Sequence, residues 1–316
     1  MSLKKILKQL NIFAQCRHYG LSLWQCPQFL FIVMGILIGL TSIISFAIGT
    51  RYIADPSFVA FIVLLLSAFL FVIAFLVIRS FEKLAEANRM KSEFVSIVSH
   101  QLRSPLSNLR WALELLMSGR LGKIEEKQTE YFKILKENAA RMRELISDLL
   151  IVSRIETATL PQKNEEFSLK NLAEKVLEGF EAFARASNVE IKFEAEKDLP
   201  LVFADPSQIR QVLENLVDNA IRYIHGRGEV EIKIKKRNKS LYFEIKDTGV
   251  GIPKEDRKYI FQKFFRSENV LKHQTQGSGL GLFIAKSIIE RSGGRIGFRS
   301  EEEKGSTFWF SLPLAH

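Results

Sequence analysis

The stretch FLFIVMGILIGLTSIISFAIGT (29–50) carries no charged residue, and neither does FVAFIVLLLSAFLFVIAFLVI (58–78), which follows it closely. At about 1.5 Å per residue, each can cross a hydrocarbon core about 30 Å thick. A core helix of that length is rarely apolar on every side, so both read as transmembrane helices. A cleaved signal peptide fits poorly, because the leader is too long and no small-residue cleavage site follows the first run. RYIADPS (51–57) joins the two spans, which predicts a tight hairpin with an external loop too short to fold into a ligand-binding domain. Lys4, Lys5, Lys8 and Arg17 precede the pair, and Arg79, Lys83, Arg89 and Lys91 follow it. Lys and Arg favour the cytoplasmic flank, so both termini are expected on the inner side of a cell membrane. A stimulus would then come through the lipid bilayer, from a membrane partner, or from the cytoplasm.

A chain of 316 residues is too long for one simple core. Its net charge of +10 is spread out, with several basic residues flanking apolar segments. Solvated surface and membrane-adjacent charge explain it better than nucleic acid, and no basic recognition helix stands out. Cys16 and Cys26 stand apart from any metal-like grouping and read as free thiols in a reducing compartment.

From about Phe81 the pattern is helical. Val95, Val98, Leu102, Leu106, Leu109, Leu113 and Leu116 recur at three- and four-residue steps and form one stripe about 80° wide. His100, in SHQLRSPL (99–106), falls roughly opposite that stripe and should face solvent or a docking surface. Pro105 removes the N–H that would bond the Gln101 carbonyl, which predicts a kink. SGRLGK (118–123) breaks the helix, and a second helix is expected from about Glu125 to Glu156. Two helices with one apolar stripe each cannot bury it alone. Pairing two hairpins into a four-helix bundle predicts a homodimer, the alternative being that the hairpin packs on the next domain of its own chain.

Beyond TATLPQKNEE the chain alternates strands (VEIKFEAE, EVEIKIKKR, LYFEIKD, RIGFRSE, STFWFSLPL) with three amphipathic helices. This predicts an α+β sandwich, one mixed sheet covered by helices. Asp205 followed by Pro206 is a strong helix start. On that helix Gln208, Asn215, Asn219 and Arg222 lie opposite the apolar side. Neutral oxygens beside a cation suit hydrated Mg²⁺ and a polyphosphate, and an ordinary polar face is the competing reading. In KDTGVGI (246–252), Asp247 can accept a hydrogen bond from an exocyclic amine, while Gly249 and Gly251 let the backbone pass close to a planar ring. QGSGLGLFIAKSII places Gly277, Gly279 and Gly281 before a helix, whose free N–H groups attract phosphate. It is neither a dinucleotide fingerprint nor a P-loop. Arg266, Lys272 and His273 lie in a polar stretch between these motifs, which reads as a flap over phosphates or as an ordinary surface loop.

The order of these motifs resembles that of a bacterial membrane-bound sensor histidine kinase of a two-component system, over roughly residues 80–314, and of its intramembrane-sensing type. SHQLRSPL resembles the H-box, with His100 as phospho-acceptor beside Gln101, Arg103 and Ser104. NLVDNAIRY (215–223) resembles the N-box, DTGVGI the G1-box, FQKFFR (261–266) the F-box, GSGLGL the G2-box, and GSTF (305–308) the last glycine motif. The resemblance implies a Bergerat-type domain that binds ATP with Mg²⁺. In it Asp247 would read adenine, Asn219 would hold Mg²⁺ directly or through water with Asn215 nearby, and Arg222 would meet phosphate. Tyr223, Gly249, Gly251, Arg266, Lys272, Gly277, Ser278, Gly279, Leu280, Gly281 and Thr307 would complete the ATP site.

The family usually has an acidic residue where Gln101 stands. An amide can orient the imidazole but cannot take its proton, so a slower or differently gated kinase is expected. Ser104 keeps a hydroxyl where the family more often has Thr or Asn, so phosphatase activity is also open. The implied layout is a cytoplasmic segment 1–28, spans 29–50 and 58–78 around the loop 51–57, a dimerisation and phosphotransfer hairpin 79–160, and a catalytic domain 161–316. No receiver domain fits, so a separate response regulator is expected to take the phosphoryl group. A chain that mainly dephosphorylates its regulator, or a nucleotide-binding membrane scaffold, are the rival readings.

Overall fold

The computed structural model describes residues 27–315, apart from 54, 123, 158 and 268–276. The described chain divides into two units. One runs to Ser104 and takes in Ser153–Leu160; the other holds Pro105–Val152 and continues from Pro161. The expected N-terminal basic residues and both cysteines lie outside the described residues.

Helix α1 spans Pro27–Tyr52 and α2 Pro56–Met117. Phe29–Tyr52 and Pro56–Leu84 are each long and apolar enough to cross a membrane. The joint between them is tight. Asp55 accepts from the Ser57 N–H at 2.9 Å, and the buried Val59 sits so near Gly49 that a Cβ there would lie 2.6 Å from its Cγ1. The apolar run and the amphipathic run expected from Phe81 are thus one uninterrupted helix, and Pro105 lies inside it. Helix α3 spans Glu126–Glu156 after a turn in which Gly119 and Gly122 take positive φ.

The single stripe expected on α2 resolves into two heptad rows. Ser92, Ser99, Leu106 and Leu113 are buried or half-buried, while Leu102, Leu109 and Leu116 are exposed. On α3 the row Phe132, Ala139, Ile146 and Ser153 is covered, while Leu135, Met142 and Leu145 are exposed. Small residues recur in the covered rows, as close helix approach requires. In the first unit Ser153 donates to the Ser92 carbonyl at 3.5 Å, and Lys91 pairs with Glu156 at 3.6 Å.

The C-terminal part is the expected α+β sandwich. A five-stranded mixed sheet has the order β2(Val189–Ala195), β4(Gly228–Arg237), β5(Ser240–Asp247), β7(Gly305–Pro313), β6(Arg295–Glu301); β2–β4 is parallel and the other pairs antiparallel. Two three-residue strands, β1(Glu165–Phe167) and β3(Val202–Ala204), form a separate antiparallel pair too short for periodicity to reveal. Helices α4(Leu169–Ala186), α5(Pro206–Arg222) and α6(Gly281–Arg291) supply the rest of the core. Ile209, Leu213, Leu216 and Ile221 of α5, Ile284 and Ile288 of α6, and Ile232, Phe243 and Phe310 of the sheet are all but inaccessible to solvent. The stacked Phe243 and Phe310 rings, 4.8 Å apart, mark the centre.

Asp205 fixes where α5 begins. Its carboxylate accepts from the Ser207 and Gln208 N–H groups, from the Ser207 hydroxyl at 2.6 Å, and from the Lys163 N–H at 2.9 Å. Burial would raise its pKa, but these hydrogen bonds win and hold it below the usual carboxylate value. Stability from this group is therefore present above its unfolded pKa and is lost as acid protonates it. Asp205→Ala should lower unfolding stability by about 2 kcal/mol at pH 7. Thermal melts should show the gap from wild type closing as the pH falls below about 4.

Candidate functional site

Nearly all of the site hangs on the C-terminal ends of α5 and β5 and on the turn leading into α6. Asp247, the last residue of β5, is 5% exposed. One carboxylate oxygen, Oδ1, accepts from the Gly249 N–H at 2.8 Å and the Ser306 N–H at 3.2 Å. Burial pushes its carboxyl up to about 6, and these two amide hydrogen bonds pull the other way. The same residue thus joins the loop after β5 to the start of β7. Gly305 tightens that joint: it takes φ +95, and a Cβ there would fall 2.0 Å from the Asp247 carbonyl oxygen.

The loop after β5 is stitched on both sides. The Val250 N–H donates to the Tyr223 carbonyl at 3.0 Å, and a Cβ on Gly249 would sit 2.4 Å from that same oxygen. Gly251 takes φ +67, and the Ile252 N–H donates to the Ser300 hydroxyl at 2.8 Å. Close backbone passage is what these glycines permit.

Helix α5 presents Asn215, Asp218 and Asn219, and its C-cap residue Tyr223, to one cavity, together with Asp247, Gly251, Arg266, Gly277, Ser278, Gly279 and Gly281. Asn215 donates its amide to the Gly281 carbonyl at 3.3 Å, which ties α5 to the glycine turn. Gly277 and Gly279 take positive φ, and α6 starts at Gly281 with no side-chain cap among the described residues, Gly281 and Leu282 both lining the cavity. Phe264, itself at φ +61, donates its N–H to the Gly279 carbonyl at 3.0 Å. The FQKFF segment therefore supports the glycine turn through its backbone, and Phe265 lines the cavity with Ile252, Ile260 and Phe308 as an apolar wall.

Several expected residues take other places. Gln208 is buried at the base of α5, donating to the Pro161 carbonyl at 2.7 Å and to Asp205, and does not line the cavity. Arg222 is turned to Asp218, 2.6 Å away, with its guanidinium over the Phe183 ring. It does not line the cavity, and neither do Gly249, the buried Leu280, or Thr307, which borders a shallow depression with Lys246 and Arg299. Lys272 and His273 lie outside the described residues. His100 is exposed on α2, as its position opposite the stripe requires, and so are Gln101, Arg103 and Ser104.

Three acidic residues at the cavity were not anticipated. The Asp218–Arg222 pair was legible as an i,i+4 contact. Glu144 and Asp148 come from α3, and Asp148 accepts from the Ser278 hydroxyl at 3.0 Å across a sequence gap no local pattern can span.

Residues 90–158 match the His Kinase A (phospho-acceptor) domain, and residues 204–316 match the histidine kinase-, DNA gyrase B-, and HSP90-like ATPase family. The chain is 32% identical over 229 residues to the circadian input-output histidine kinase CikA of Synechococcus elongatus, covering 72% of this chain and 30% of CikA. It is 35% identical over 235 residues to the sensor protein GacS of Pseudomonas syringae pv. syringae, covering 72% of this chain and 26% of GacS. The full-length crystal structure of ShkA in complex with AMPPNP superposes with a TM-score of 0.60 at 28% identity, covering 71% of this chain and 46% of ShkA. The chain thus spans less than a third of the length of these two curated relatives. In one polypeptide it carries a match to the phospho-acceptor domain of histidine kinases and a match to an ATPase domain of this type.

Proposed function

We propose that this chain is a membrane-anchored homodimeric kinase that transfers the γ-phosphoryl group of ATP to its own His100 and then to an aspartate of a separate response regulator. The observation that carries this reading is the convergence of Asp247, Asn215, Asn219 and the glycine turn on one cavity. The matched phospho-acceptor segment presents an exposed imidazole at His100.

Asp247 keeps one oxygen for the two backbone amides and has a second with which to accept from the exocyclic amine of adenine. The apolar wall of Ile252, Ile260, Phe265 and Phe308 suits a planar base. Phosphates would lie toward the Gly277–Gly281 turn and the start of α6. The donor set also fits Mg²⁺. Asn215 spends its amide nitrogen on Gly281, so its oxygen is left as a hard donor beside that of Asn219. Among the described residues no cluster of three or more His, Cys, Asp or Glu could hold a metal ion, so phosphate oxygens and water would supply the remaining ligands. When bound, the ion neutralises phosphate charge. Asn215 and Asn219 would hold it, and Arg266 adds a positive charge at the cavity.

The acceptor step is nucleophilic. A lone pair of the neutral His100 ring forms the N–P bond as the bond from the γ-phosphorus to its bridging oxygen breaks, and ADP leaves. Gln101 can orient the ring but cannot remove a proton. The exposed leucines of α2 and the exposed Leu135, Met142 and Leu145 of α3 suit pairing with a second hairpin, which supports the homodimer. The two apolar helices suit a bilayer, with both chain ends on the cytoplasmic side. The domain limits are those set out above: a hairpin over 79–160 and a catalytic domain over 161–316.

Incubation of the full chain with γ-labelled ATP and Mg²⁺ should give an acid-labile, alkali-stable label that disappears in His100→Ala. Label that persists in that variant would refute the assignment. Gln101→Glu should raise the initial labelling rate about 100-fold or more, within the range of general-base assistance. Asp247→Asn keeps an acceptor for Gly249 and Ser306 but replaces the second oxygen with a donor. ATP binding should weaken about 100-fold or more while the fold survives. A carboxyl raised to about 6 makes the folded state lose stability as pH rises from about 4 to about 6. Melting curves should show that loss in wild type relative to Asp247→Asn across the same window.

A further inference from the structure

The Ser278 hydroxyl stands inside the glycine turn where the nucleotide phosphates are expected. It accepts from the Leu280 N–H at 3.2 Å and donates to Asp148 Oδ2 at 3.0 Å. A hydroxyl has one proton to give, so while Asp148 holds it Ser278 offers this cavity only lone pairs. Glu144, one turn earlier on α3, lines the same cavity. Two carboxylates from the hairpin therefore stand at the end of the cavity where a polyphosphate would place its negative charge, and like charges at such range repel.

We propose that Asp148, assisted by Glu144, is a built-in competitor for the nucleotide phosphates: with α3 docked in this way the hairpin occupies the glycine turn, and ATP must displace the Asp148 carboxylate to load. Burial pushes the Asp148 carboxyl up to about 6, the Ser278 hydrogen bond lowers it, and Glu144 raises it further. One hydrogen bond from Ser278 is what a bound polyphosphate would have to replace at Asp148. Nucleotide loading and release of α3 are then one equilibrium, so whatever moves this helix changes ATP affinity and ATP in turn favours the released helix.

This rests on the nucleotide-site reading, and the test separates the two. Binding of ATP with Mg²⁺ to the full-length chain in lipid nanodiscs would be measured by calorimetry for wild type, Asp148→Asn and Glu144→Gln, with melting curves as a check on folding. Asparagine keeps the size and one acceptor oxygen but removes the charge. Asp148→Asn should bind ATP roughly five- to tenfold more tightly, and Glu144→Gln should shift the same way by less. Unchanged or weaker binding in Asp148→Asn, with wild type still binding, would overturn the competitor alone and assign the carboxylate a supporting role. No ATP binding to any of the three folded chains would overturn both readings together.

Discussion

A single buried carboxylate holds the nucleotide site in shape. Asp247 ends β5 and binds two backbone amides through one oxygen, fixing both the loop that follows it and the start of β7. Burying a carboxylate is costly unless it is hydrogen-bonded, and the raised pKa records that cost. Asp247 lines the cavity, and its second oxygen takes no part in those two bonds. Gly249, Gly251 and Gly305 follow from the same constraint, because side chains at those positions would collide with the Tyr223, Glu301 and Asp247 carbonyl oxygens.

Around that point the site is assembled by backbone more than by side chains. Tyr223 receives Val250, Phe264 reaches Gly279, and Asn215 bonds the Gly281 carbonyl. Each link joins segments apart in sequence, and the Asn215 bond ties the glycine turn to α5. By contrast, α3 reaches the cavity through acidic side chains. The proposed competition for the nucleotide phosphates rests on this contrast between a backbone-built cradle and the acidic side chains that meet it.

Much of this was legible in the sequence, for identifiable reasons. The strands alternate cleanly, Asp205 with Pro206 announces α5, and the glycines before α6 mark a turn that only such residues can make. Asn215 and Asn219 stood out by the helix period and Asp247 by its strand end, and only the resemblance of the motif order joined them in one expected site. Gln208 shares the helical face but not the site, since its partner is Pro161, outside the helix. Arg222, expected at a phosphate, is turned to Asp218 one helical turn away. The stripe on α2 looked single because periodicity reports apolar positions without saying which neighbour covers each. Glu144 and Asp148 were invisible, because their role exists only once α3 and the glycine turn meet.

Comparing ATP with inosine triphosphate tests the central claim most directly, since the two differ where Asp247 is held to read the base. Inosine replaces the amine with an oxygen that would face a carboxylate. The account predicts that, with Mg²⁺ present, the wild-type chain binds inosine triphosphate at least about 100-fold more weakly than ATP. Equal affinity for the two nucleotides would contradict it.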